Sequence, residues 1–170
     1  MGADIGPDRT CLKHSECAGE ALTKLLASLF ESDVHRADDS GEGLDDGSVA
    51  GVVSLIGDVE WSLWLGLPRE TAVAIASAFA EDEIEFDSEE MGDAVGELTN
   101  MLAGDLKARL SRVDLQTTIS LPSVVSGERL RVMTTRDTPR ERMRFSSSFG
   151  PLWVEVAAGV REGETRAAGS

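Results

Sequence analysis

An α+β fold is predicted for this 170-residue chain, and two observations predict it. Three segments carry apolar residues at helical spacing, and several others alternate with period two between glycine and proline punctuation. The length suits one domain, and 41% apolar with 28% charged residues is an ordinary globular composition with enough chain to bury a core. The expected division is a polar leader over residues 1–18, a single domain over 19–160 and a polar tail over 161–170.

Leu22, Leu25, Leu26, Leu29 and Phe30 place the first helix from Gly19 to Glu31. An acidic, glycine-rich loop over 37–48 follows; it lacks the ligand spacing and closing glutamate of a calcium loop. Two strands are expected around Gly57-Asp58, from Val49 to Ile56 and from Val59 to Leu67. In the second, Val59, Trp61, Leu63 and Leu65 share one face. Trp64 falls on the other, which leaves two readings open: packing against a helix or loop, or a partner contact. Pro68 is expected to open a second helix running to Ala80. Asp87 with Glu90 then suggests a capping box for a third helix ending near Leu110. Period two returns from Asp114 to Leu121, stopped by Pro122, and again over Arg129–Thr134, Met143–Phe149 and Leu152–Val160. Arg129, Arg131, Arg136, Arg140, Arg142 and Arg144 crowd the middle pair. A solvated hairpin face is the preferred reading and an anion-docking face the alternative.

The net charge of −15 argues against nucleic acid, which needs a basic face, and against an anionic membrane surface. No apolar run approaches the roughly 18–20 residues of a membrane span. Met1–Pro7 lacks the basic and apolar regions of a signal peptide, so a cytoplasmic location is expected. Cys11 and Cys17, with His14 between them, lack the second ligand pair that a zinc site needs, and two cysteines make no disulfide framework.

The third helix carries the chemistry. On a wheel of 100° per residue, Met91, Val95, Leu98, Leu102 and Leu106 form the core stripe, with Leu110 just beyond. Asp93, Glu97, Asn100 and Gly104 fall on the opposite flank, bordered by Gly96 and Lys107. Glu97 and Asn100 are three apart and therefore neighbours. Asn100 is the only asparagine in the chain, at a helix-interior position where asparagine is a mediocre choice. Gly92, Gly96 and Gly104 each forfeit about 1 kcal/mol relative to alanine, which close approach of a partner would explain. An asparagine amide has no useful pKa. It accepts a hydrogen bond from water and donates one to an oxyanion, which suits orienting water for phosphoryl transfer. With no phosphate loop and no metal cluster in the chain, the metal and most of the charge stabilisation would come from the partner.

Glu97-Leu98-Thr99-Asn100-Met101-Leu102-Ala103-Gly104 resembles the E-x-x-N-x-x-x-G helix signature of the CheC/CheX/FliY chemotaxis phosphatases. Ile56-Gly57-Asp58-Val59, Leu67-Pro68-Arg69-Glu70-Thr71-Ala72, Ile119-Ser120-Leu121-Pro122 and Phe149-Gly150-Pro151-Leu152 resemble the CheX branch. The resemblance spans roughly residues 19–160. It implies a CheC-like fold, an antiparallel β-sheet with about three helices layered against it. It further implies dephosphorylation of the phosphoaspartate of a CheY-like response regulator. Asn100 would orient the hydrolytic water and Glu97 would engage the regulator's lysine, with Asp93, Gly96, Gly104 and Lys107 around them contacting the partner. Magnesium would belong to the regulator, the chain needing no cofactor of its own, and a homodimer is implied. CheC-type members carry two such motifs. Here the first helix offers Glu20 but places Thr23 where asparagine is needed, so one site per chain is expected and Glu20 is read as structural. The alternative function is a non-catalytic docking module of the same fold, binding a response regulator or a flagellar switch component.

Overall fold

A computed structural model describes residues 14–38, 47–131, 133 and 138–159. Most of the expected leader (1–13 of residues 1–18), most of the acidic loop (39–46), part of the strand expected over Arg129–Thr134 and the tail over 161–170 lie outside these residues. Among the described residues there are three helices and seven strands: α1 His14–Phe30, β1 Val34–Ala37, β2 Ser48–Gly57, β3 Glu60–Pro68, α2 Arg69–Ala80, α3 Glu89–Ser111, β4 Thr117–Ile119, β5 Ser123–Gly127, β6 Arg140–Ser147 and β7 Gly150–Ala158.

The strands form one antiparallel sheet in the order β1-β6-β7-β3-β2, with β4 and β5 sharing the far edge of β2. The predicted α+β class and the helix-on-sheet layering both hold. Alternation decides the faces. Val49, Val53 and Leu55 of β2, Trp61, Leu63, Leu65 and Leu67 of β3, and Leu152, Val154 and Val156 of β7 point into one core with the helices. From the helices come Leu22 and Leu26, Ile75, and the predicted stripe of Met91, Val95, Leu98, Leu102, Leu106 and Leu110, all buried. On the reverse face Ala50 and Trp153 are buried with Trp64 and Leu130 packed on them, which supports the packing reading of Trp64.

Several expected boundaries move. α1 starts ahead of Gly19 because Ser15 and Ala18 are also buried and Gly19 lets the helix settle on Met143 and Phe145; small residues carry the stripe there, not leucines. Pro68 ends β3 and is the N-cap of α2 rather than its first helical residue. The cap of α3 is Ser88, not Asp87: its hydroxyl accepts from the Met91 N–H at 3.2 Å. β1 is a short edge strand that alternation does not reveal. Residues 129–131 and 133 are not in a strand; β5 lies earlier, at Ser123–Gly127.

The strand expected from Asp114 to Leu121 is only Thr117–Ile119, and the reason bears on the site. Leu55 pairs with Ile119 but Val52 pairs with Ser123, so the register shifts by one residue between β4 and β5. The intervening Ser120-Leu121-Pro122 is a bulge. Proline has no N–H for the ladder. Ser120 bridges the gap: its N–H donates to the Ser54 carbonyl at 2.9 Å and its hydroxyl accepts from the Ser54 N–H at 3.0 Å.

The arginines do more than line a solvated hairpin. Arg142 donates to the Glu155 carboxylate at 2.8 Å, and Glu155 is only 2% exposed. The same guanidinium lies 4.1 Å from the centre of the Trp153 ring, and Arg140 reaches Glu155 at 4.0 Å.

Candidate functional site

The site begins with what fixes α3. Its first turn carries Glu89 and Glu90, which suit the positive end of the helix dipole. Just before it, Arg69 stacks 4.0 Å from the centre of the Phe86 ring and approaches Asp87 at 3.9 Å. The connection from α2 is held as well. Glu81 caps α2 in the left-handed conformation, and the Ile84 N–H donates to the Ser77 hydroxyl at 3.0 Å.

Rotation of the helix is set by Thr99. It is fully buried, and its hydroxyl donates to the Val95 carbonyl at 2.7 Å. It stands directly over Gly51 of β2, where a Cβ would lie 1.8 Å from the Thr99 Oγ1. Only glycine admits so close a contact between helix and sheet. With Leu98 and Thr99 both held inward, Glu97 and Asn100 fall to the outer side by helical geometry.

Asp93, Glu97 and Lys107 are accordingly exposed, and Asn100 and Gly104 are half-buried. Five of the six predicted face residues therefore share an accessible side. Gly96 differs: it is buried, and a Cβ there would meet Val124 at 3.5 Å and Pro122 at 3.8 Å. Its glycine admits the chain beside the bulge rather than a partner. At Gly92 and Gly104 a Cβ would meet nothing within 4 Å, so both leave room above the helix. Among the described residues, the side chains of Glu97 and Asn100 make no hydrogen bond or ion pair. The arrangement offers a carboxylate and an amide, presented to solvent one helical turn apart on a helix that cannot rotate.

The other end of α3 is tied to α1. Lys24 reaches Asp105 at 3.1 Å, and Arg109 bridges Asp105 at 2.7 Å and Glu20 at 2.9 Å. Burial pushes the Asp105 carboxyl up, but hydrogen bonds from Arg109 and Lys24, with their charges, bring it below the usual value. The hydrogen bond to Asp105 in turn holds the Arg109 guanidinium charged. Glu20 thus has the structural partner expected of it, and the Thr23 hydroxyl donates back to the Gly19 carbonyl at 2.9 Å.

A cleft of about 710 Å³ opens beside Glu97, between the end of α2, the first half of α3 and the bulge. Phe79, Ile84, Pro122 and Val124 give it apolar walls, and Asp82, Glu90, Asp93 and Glu97 are its acids. Alternation assigns Leu121 to a strand, and no local signal marks Pro122 or Val124 as neighbours of the helix. Among the described residues, no three histidine, cysteine, aspartate or glutamate side chains form a group that could hold a metal, and no helix is long and apolar enough to cross a membrane.

Comparisons with known proteins agree on one family and one fold. The model of the family described as chemotaxis phosphatase CheX matches residues 49–146, more than half of the chain. The CheY-P phosphatase CheX of Thermotoga maritima is 34% identical over 86 residues, which cover 50% of this chain and 56% of that protein; the match thus spans little more than half of the relative's length. A chemotaxis protein CheX from Desulfovibrio desulfuricans superposes with a TM-score of 0.74 at 22% identity, covering 86% of this chain and 99% of the other. The CheX of a CheX-CheY-BeF3-Mg2+ complex from Borrelia burgdorferi superposes with a TM-score of 0.68 at 22% identity, covering 85% and 97%.

Proposed function

The chain belongs to the family of the chemotaxis phosphatase CheX, and we propose that it removes the phosphoryl group from the phosphoaspartate of a CheY-like response regulator. One observation carries the reading: Glu97 and Asn100 stand side by side on the accessible face of a helix whose opposite face is locked by Thr99 over Gly51. The named relative from Thermotoga maritima, a CheY-P phosphatase, and the complex of a structural neighbour with CheY, BeF3 and Mg2+ support the choice of substrate.

The chemistry follows from the side chains. The regulator's acyl phosphate is already a reactive mixed anhydride, and the magnesium that the regulator's own site would hold would supply most of the charge neutralisation. The Asn100 carbonyl accepts a hydrogen bond from a water lying opposite the aspartyl oxygen, and its NH2 group donates to a phosphoryl oxygen. The water oxygen bonds to phosphorus as the bond to the aspartyl oxygen breaks. The aspartate leaves as a carboxylate, and the water's proton departs with the phosphate or to solvent. Positioning of this kind is where catalysis of phosphoryl transfer lies. Glu97, accepting from the regulator's lysine, holds the two proteins in register so that the amide meets the phosphate. Gly104 leaves the space that the regulator's backbone occupies, and Asp93 and Lys107 border the contact.

Added to a magnesium-loaded regulator phosphorylated with acetyl phosphate, the protein accelerates release of phosphate. Asn100→Ala removes most of that acceleration without weakening binding, and Glu97→Ala mainly raises KM. Equal rates for wild type and Asn100→Ala, with both bound, would select the docking-module reading instead.

A further inference from the structure

We infer that the cleft beside Glu97, together with Leu121 exposed on the bulge whose Pro122 walls it, is the surface that chooses which regulator is accepted, by taking a basic side chain adjacent to an apolar one on the regulator. The inference rests on the proposed phosphatase reading and adds a docking element outside the reacting pair. Leu121 is 90% exposed, although it lies in a segment that otherwise runs along the sheet edge. The bulge explains this. The extra residue between β4 and β5 turns Leu121 outward while Pro122 is laid over Gly96 of α3. Bulges commonly re-aim a side chain beside a functional site, and a fully exposed leucine gains nothing for the isolated fold.

The cleft that Pro122 walls is continuous with the proposed interface, because Glu97 lines it. Asp82, Glu90, Asp93 and Glu97 make no ion pair among the described residues. These four exposed carboxylates line the recess beside its apolar walls, and a lysine or arginine of the partner would complement them. Gly92, with nothing within 4 Å of a Cβ, admits the incoming chain. The net charge of −15 acts in the same direction at longer range, steering a basic surface to the site. An apolar anchor surrounded by charge that sets register is the usual anatomy of a selective interface.

The test uses the full chain against a panel of purified CheY-like receiver domains, phosphorylated with acetyl phosphate for turnover or loaded with beryllofluoride for binding. Two exposed-site variants spare the reacting pair and the first turn of α3: Leu121→Ser, and the charge reversal Asp82→Lys. The expected result is a rise in KM of about tenfold for the reversal and about fivefold for Leu121→Ser, with kcat within twofold. The reversal's effect should shrink as salt is raised through a few hundred millimolar. Unchanged KM in both variants overturns the inference and leaves the phosphatase reading standing. Binding that is lost in the variants, from a wild type that binds but never accelerates phosphate release, keeps the cleft and overturns the phosphatase reading. A change in sedimentation of the variants alone, with regulator binding untouched, makes the cleft a contact between copies of this chain and overturns the inference. If the wild type neither binds nor turns over any receiver domain, both fall.

Discussion

Gly51→Ala places one methyl group at the contact that aims the site, and the structure sets its cost. The new Cβ would lie 1.8 Å from the Thr99 Oγ1, 2.7 Å from its Cβ and 3.1 Å from its Cγ2, whereas comfortable contacts between carbons begin near 3.5 Å. Thr99 is fully buried and stiff at χ1, so it cannot swing aside. Relief requires α3 to lift away from β2. Overpacking of this kind costs about 1–3 kcal/mol, and contact between two backbone-anchored groups puts it in the upper half of that range. For a domain of this size, that lowers Tm by about 4–12 °C. Urea unfolding followed by tryptophan fluorescence measures it. Thr99→Gly vacates the space at a small further cost in helix propensity, so the double variant Gly51→Ala/Thr99→Gly should recover at least about 1 kcal/mol relative to the sum of the singles. Where the single variant remains folded, a lifted helix misplaces Asn100, and phosphate release should fall by more than the stability loss explains. A Gly51→Ala protein within about 0.5 kcal/mol of wild type, or a strictly additive cycle, would refute the account of how the helix is seated.

Gly66→Ala should be comparably damaging on the reverse face, since its Cβ would enter the Trp153 ring, 1.8 Å from Cε2; an unchanged urea midpoint would contradict that packing. Arg142→Ala strands the buried Glu155, leaving only Arg140 at 4.0 Å; a loss of about 3 kcal/mol is expected, largely restored in Arg142→Ala/Glu155→Gln, and failure of the second change to restore it would show that the loss is packing. Because folding lowers the Asp105 carboxyl below its unfolded value, about 3.9, its contribution is present above about pH 4 and is lost as pH falls through the folded value. Asp105→Asn should therefore lower Tm near neutrality and flatten the decline below pH 4. An acid limb identical to wild type would contradict this.

What was legible in the sequence is what local periodicity encodes. The stripe from Met91 to Leu110 and the alternation of Trp61, Leu63 and Leu65 depend on spacing within one element, and every one of those residues is buried. Boundaries set by side-chain chemistry were less so. Asp87 and Ser88 are both good caps, and only the position of the Met91 N–H selects Ser88. β1 and β5 are short edge strands defined by their pairing with distant chain, which periodicity does not report. Arg129–Thr134 alternates convincingly, yet its described residues lie outside the sheet. Within the site, Glu97 and Asn100 were visible through helical spacing and a family resemblance. Gly96 was assigned to the open side because a wheel does not show that Pro122 covers it. Leu121 was read as the end of a strand, and its exposure was not visible because it follows from a register shift between two strands and a third.

Under the proposed function, Asn100 orients the hydrolytic water while Glu97 secures the partner. Single-turnover phosphate release, with the protein in saturating excess over a phosphorylated receiver domain, tests it without interference from affinity. Asn100→Ala should fall by about a hundredfold, close to the regulator's own rate, while Glu97→Ala at saturation should retain most of the wild-type rate. A saturated Asn100→Ala protein that releases phosphate as fast as wild type would contradict it.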